Sequence, residues 1–176
     1  MQTFLPYPDF TKSFQILDWK RLGKQRVEAL TIIKAIEGHS RNDGKPYKGW
    51  QNHPCVNMWR NYVPALKLYH DLNILEWETR GYKNNMQLFN QDENRITFPH
   101  WLGFSQFHAS HRANLLRKQY SHYSQFGWKE KPSDIYVWLD EKDRWYYLRS
   151  GTSERIYLTS PEGSGLESEN FLNYAF

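Results

Sequence analysis

The chain has a single cysteine, Cys55, among 176 residues. An internal disulfide is therefore excluded, and so low a cysteine count fits a reducing compartment. No apolar run approaches the length of a membrane span, and the opening MQTFLPYPDF lacks the basic and apolar regions of a secretory leader. These absences lead us to expect a soluble, intracellular protein of the cytoplasm with no membrane partner. No internal repeat is visible. Carboxylates are missing where basic side chains are densest, since Ser105 to Lys118 holds none.

Aromatic residues, by contrast, are abundant at 17%, with eight Trp and twelve Tyr. That exceeds what a core of this size buries with every polar tip satisfied, so some rings should face solvent. Exposed rings beside basic residues suit stacking on nucleic-acid bases. The length fits one domain with a real core and a small appendage. Of 23 Lys and Arg and 19 Asp and Glu, four basic and eight acidic residues lie from Pro132 onward, which leaves 19 against 11 before it. The first 131 residues thus carry about +8 and the remainder about −4, a distribution that favours a polyanion partner for the longer part.

The densest motif is FPHWLGFSQFHASHRANLLRK, Phe98 to Lys118. Pro99 and Gly103 break the chain and Ser105 is the expected N-cap of one helix running to Lys118. Helical spacings of three and four place His108, His111 and Arg112 on one face, with Leu115 a turn below. With Arg117 and Lys118 alongside, such a face suits a phosphate. Each histidine alone would more simply be a hydrogen-bonded packing residue. A zinc ion would need at least a third protein ligand, and the helix supplies no carboxylate or cysteine.

Along the chain, MQTFLPY reads as an extended arm stopped by Pro6 and Pro8. Asp9 caps a short helix through Leu17, and Asp18 caps a longer one to Glu37, closed by Gly38. Leu22, Ala29, Leu30, Ile33 and Ile36 give the second helix its buried stripe. Its first half carries Lys20, Arg21, Lys24 and Gln25 as a basic and amide face that ends at Glu28. A solvated face with a Lys24–Glu28 ion pair is the plain structural alternative. Gly23, mid-helix, costs about 1 kcal/mol relative to Ala and would permit close approach of another backbone. His39 to Gln51 is a loop holding Arg41, Lys45 and Lys48, either touching phosphate or simply solvated. Pro54 opens a long helix to Arg80, bent at Pro64, with Trp59, Tyr62, Val63, Leu66 and Tyr69 inward. His53 stands at the helix start, where a neutral ring or a bound anion is favoured. Asn84 to Thr97 is a polar loop. Beyond Lys129 to Ser133, IYVWLD, DRWYYLRSG and SERIYLTS alternate as a hairpin or three-stranded flap with a turn at Ser150-Gly151. The expected architecture is mainly α, with a helical domain over 1–131 and an acidic β-rich extension over 132–176.

MQTFLPY, RLGKQRVEA, the NHP before MWR, FPHWLG and HRANLLRK together resemble a bacterial and phage family grouped with pyrimidine dimer DNA glycosylases of the phage endonuclease V type. The likeness spans roughly Met1 to Trp138. It implies a compact helical domain that kinks duplex DNA, extrudes a nucleotide and cuts the glycosidic bond of a damaged or modified base, with no cofactor. In such enzymes the nucleophile is the chain's α-amine, which forms a Schiff base and proceeds to strand cleavage by β-elimination. An α-amine, with an ordinary pKa of about 7.7 to 8.0, keeps an appreciable neutral fraction near pH 7. Here the chain departs from the pattern: the phage enzyme exposes a threonine amine once its initiator methionine is removed, whereas Gln2, a bulky second residue, blocks that trimming and makes the available amine that of Met1. The resemblance assigns the charge-stabilising carboxylate to Glu28 and its basic partner to Arg26. It makes His108, Arg112 and Lys118 phosphate contacts, and a monomer is expected.

Two other function classes fit the residues. A non-catalytic DNA-binding or inhibitory protein would keep the basic face, with its acidic tail covering the cleft or recruiting a protein partner. A metal-dependent nuclease would use His53, His108 and His111.

Overall fold

Local side-chain signals start and stop the first two helices. The structure, a computed structural model, describes residues 1–40 and 43–158. The Asp9 carboxylate accepts the Lys12 amide at 2.8 Å and begins α1 (Phe10–Ile16). Asp18 accepts the amides of Lys20 and Arg21 at 3.0 and 3.2 Å and begins α2 (Trp19–Glu37). Each cap satisfies amides that the first helical turn leaves without a partner. Gly38, in the left-handed region at φ 76°, closes α2. Of the expected stripe, Leu22, Ala29 and Ile33 are buried together with Gln25, Ile32 and Ala35.

The single helix expected from Pro54 to Arg80 is two, α3 (Pro54–Trp59) and α4 (Val63–Thr79). Pro64 has no amide hydrogen, and its ring excludes the carbonyl of the residue four before it, so a helix cannot run unbroken through this point. Tyr62, at φ −131°, carries the break. α4 is buried on more than one face, including Ala65, Leu66, Tyr69, His70, Asn73 and Ile74, which marks it as the central helix of its unit. α2 and α1 pack against it. Around Tyr69 gather Phe14 (ring centroids 4.6 Å), Phe10 (5.4 Å) and Trp59 (5.9 Å), and Trp101 meets Trp59 edge-on at 5.0 Å. Gly23 does admit a close neighbour, but it is the Trp77 ring rather than a backbone: a Cβ there would lie 2.9 Å from it.

Two compact units are present, Met1–Leu102 and a second from Gly103 onward. The second holds α5 (Ser105–Lys118), α6 (Tyr120–Tyr123) and an antiparallel sheet in the order β1 (Ile135–Leu139), β2 (Trp145–Arg149), β3 (Ile156–Tyr157). Val137 pairs with Tyr147, and Tyr146 with Tyr157. Gly151, at φ 87°, makes the turn after β2. Phe104 rather than Ser105 stands at the N-cap position of α5 and makes no side-chain cap bond, while the Ser105 hydroxyl, inside the first turn, donates to Gln106 Oε1 at 2.8 Å. α5 packs on β1, so the helical stretch expected to continue to residue 131 is shared between the two units. The class is mainly α with a small three-stranded sheet. Among the described residues no helix is long and apolar enough to cross a membrane. Arg41 and the acidic end PEGSGLESEN lie outside the described residues.

Candidate active site

The N-terminal arm is extended and its residues 2–6 are buried. A single fully buried side chain, Gln25 of α2, organises what surrounds it. Its Oε1 accepts the Phe4 amide at 2.7 Å and the Tyr69 hydroxyl at 2.6 Å. Its Nε2 donates to Glu28 Oε2 at 2.9 Å. Tyr69 also donates to the Phe4 carbonyl at 3.2 Å. One amide group therefore ties the chain start to the carboxylate. A second clamp lies beside it: Trp59 Nε1 donates to Thr3 Oγ1 at 3.0 Å, and that hydroxyl lies 3.5 Å from Cys55 Sγ.

Charge binds this group together. Burial pushes the Cys55 thiol up to about 11, with the N-terminal charge and Glu28 acting on it in opposite directions. Burial likewise holds the Tyr69 hydroxyl well above its ordinary value, with Glu28 among the causes. His53 is pushed down to about 4, first by burial and then by the positive chain terminus. Its Nδ1 accepts the Cys55 amide at 3.1 Å, so the neutral ring carries its proton on Nε2. The Met1 amine, Glu28, His53, Cys55 and Tyr69 thus share one electrostatic neighbourhood. Glu28 also pairs with Lys24 at 3.4 Å; its side chain is 13% exposed and that of Lys24 is 72% exposed.

Other residues of the expected site lie elsewhere or do other work. Gln25, expected at a DNA-facing surface, is an interior bonding hub. Arg26 stands two residues from Glu28, about 200° around the helix. It stacks on Trp77 at 4.1 Å and donates to Asn84 Oδ1 at 3.2 Å. Burial lowers its pKa, partly countered by Glu78. Arg21 pairs with Asp18 at 3.3 Å, while Lys20 is exposed above the Trp19 ring.

The polar face of α5 faces inward. His108 and His111 are 2% and 0% exposed. His108 Nε2 accepts the Gly103 amide at 3.0 Å, and His111 packs against Phe107 and Tyr136. Burial, then His108 and Arg112, hold the His111 pKa well below its ordinary value. Ser110 accepts the Val137 amide at 3.2 Å and Asn114 donates to the Ile135 carbonyl at 2.7 Å, so this helix satisfies groups along the outer edge of β1. Arg112 donates twice to Glu130 Oε1, at 2.9 and 2.6 Å. Lys118 ends the helix, half-buried. Among the described residues no group of three or more His, Cys, Asp or Glu is placed to hold a metal ion.

Sequence reasoning missed Tyr69, Thr3, Trp59 and Cys55 as the shell of this site. The sequence marks Trp59 and Tyr69 only as inward members of an apolar stripe, and Thr3 only as part of the arm.

A family model described as pyrimidine dimer DNA glycosylase matches residues 1–90. No curated protein and no solved structure matches the chain. The matched stretch contains the arm, α1 to α4 and every member of the Gln25 network, and the motifs FPHWLG and HRANLLRK lie beyond it. With just over half of its 176 residues matched, the protein belongs to the pyrimidine dimer DNA glycosylase family.

Proposed function

We propose that the protein excises a damaged base from duplex DNA, with the Met1 α-amine as nucleophile and Glu28 as the carboxylate that stabilises positive charge. The observation that carries this reading is Gln25, whose one amide group bonds both the arm at Phe4 and the Glu28 carboxylate. The neutral amine attacks the sugar C1′, and the base departs with the bonding pair and takes up a proton. Opening of the sugar ring leaves a protonated Schiff base, and Glu28 lowers the energy of that cation. Loss of a C2′ proton with expulsion of the 3′ phosphate cuts the strand, and water then releases the amine. His53, neutral above about pH 4, adds no like charge to the neighbourhood of the amine. Lys20 and Lys24, both exposed, serve as phosphate contacts. His108 and His111, being buried, have no part in DNA contact here, and Arg112 is committed to Glu130.

The test is borohydride trapping of the untagged protein on duplexes carrying an abasic site, a thymine dimer or no lesion. A covalent product that maps to the Met1 amine and falls by orders of magnitude in Glu28→Gln, with DNA affinity kept, is the expected outcome. Base release without a trapped product would replace the amine by water as nucleophile. Tight binding with neither would leave a DNA-binding protein without the chemistry.

A further inference from the structure

A nucleotide leaves the duplex stack when a glycosylase works on duplex DNA, and the space it vacates has to be filled. Next to the candidate site stands an aromatic ring that the fold leaves outside. Trp50 is 57% exposed although it is among the largest apolar side chains of the protein. Its ring meets His53 edge-on, with centroids 5.7 Å apart; His53 Nδ1 accepts the Cys55 amide at 3.1 Å, and Cys55 Sγ lies 3.5 Å from Thr3 Oγ1 in the N-terminal arm. A continuous chain of contacts thus joins the indole to the arm that begins at the amine.

The backbone here is held, not loose. Trp50 sits at φ 62°, in the left-handed region that a residue with a β-carbon adopts only where its surroundings over-determine it. The Trp50 carbonyl accepts the His53 amide at 3.0 Å. The next carbonyl, that of Gln51, accepts Arg60 Nη2 at 2.8 Å, and that guanidinium is also held by Asn57 at 3.2 Å. These bonds fix the Trp50 backbone from its C-terminal side while more than half of the side chain stays open to solvent. Lys48, two residues earlier, is exposed, so a cation suited to phosphate accompanies the ring.

We propose that Trp50 is the residue that enters the duplex next to the reaction site and fills the stack that the extruded nucleotide vacates. This rests on the glycosylase reading above. An indole has a large flat face that stacks on either neighbouring base regardless of sequence, which suits a filler with no base preference. A strained but tethered backbone presents that face without a further ordering cost on binding.

The experiment compares wild type, Trp50→Ala, Trp50→Phe and Glu28→Gln under single-turnover conditions. One substrate is a duplex with a thymine dimer and the other a single-stranded oligonucleotide with an abasic site, where there is no stack to fill. Binding to an undamaged duplex with 2-aminopurine in one strand gives a readout independent of chemistry. Trp50→Ala should lower the duplex rate by about 5- to 150-fold, as loss of one base-stacking contact implies. Its effect on single-strand trapping should be the smaller of the two, because a strand without a partner has no stack to refill. Trp50→Phe should recover most of the loss, and the 2-aminopurine brightening seen with wild type should vanish in Trp50→Ala. An equal loss on both substrates, or a duplex rate unchanged in Trp50→Ala while Glu28→Gln is inactive, overturns the role of Trp50 and leaves the glycosylase reading standing. A wild-type protein that neither traps nor excises on either substrate removes that reading, and the role of Trp50 falls with it.

Discussion

Gln25→Met is the substitution that bears most directly on the site, because it keeps the shape of the side chain and removes its three hydrogen bonds. The Phe4 amide loses its 2.7 Å acceptor in a fully buried place, at a cost of about 1–3 kcal/mol. Tyr69 loses a 2.6 Å acceptor but keeps the Phe4 carbonyl at 3.2 Å, so that loss is about 0.5–1.5 kcal/mol. Glu28 loses a 2.9 Å donor but retains Lys24 and some water, which recovers part of a charged hydrogen bond. Together these give a destabilisation of about 3–5 kcal/mol. At about 2–4 °C per kcal/mol for a chain of this size, the melting temperature should fall by about 6–20 °C in a circular-dichroism melt. The chain start should also lose its fixed relation to Glu28. Trapping on an abasic duplex, measured at a temperature where both proteins are folded, should therefore drop even though no proposed reacting group has been touched. A melting temperature within about 3 °C of wild type, together with unchanged trapping, would refute the view that this amide holds the arm.

Two further outcomes follow from packing and from charge. Gly23→Ala gains about 1 kcal/mol of helix propensity, but its new methyl lies 2.9 Å from the Trp77 ring and must displace it from Arg26 at about 1–3 kcal/mol. The same melt should therefore show a net destabilisation of about 0–2 kcal/mol; a raised melting temperature would mean that Trp77 is free to move. His111 is neutral in the fold because its pKa is depressed, whereas the unfolded chain takes up a proton on it below about pH 6.5. The unfolded state then binds more protons, so stability is full above that pH and declines as pH falls below it, by up to about 1.4 kcal/mol per unit from this group. Melts from pH 7.5 to 5 should show the decline, and His111→Leu should make it shallower; an identical slope would place its cause elsewhere.

Features decided within a few residues are legible in the amino-acid sequence alone. Asp9, Asp18 and Gly38 bound their helices because a cap and the amides it satisfies lie within one turn. The β-rich segment and its turn at Ser150-Gly151 are equally local, strings of β-branched and aromatic residues followed by a glycine at φ 87°, although burial along β1 does not alternate as expected. The motifs of the first half point to the family for the same reason, being contiguous strings. Proline chemistry is legible in kind but not in degree, since Pro64 produces a break between α3 and α4 rather than a bend.

What tertiary structure alone decides is which side of each polar residue faces in. Gln25 has the sequence pattern of one more member of a basic surface, yet its partners Phe4 and Tyr69 lie 21 and 44 residues away along the chain. Helical spacing correctly groups His108 and His111 but does not say whether solvent or a sheet will meet them. The answer comes from the edge of β1, 21 to 27 residues from its partners on the helix, whose amides and carbonyls need bonds that an apolar helix could not supply. Periodicity fixes which side chains share a face; only the packed chain determines what that face meets, because the hydrogen-bonding demand comes from segments distant in sequence.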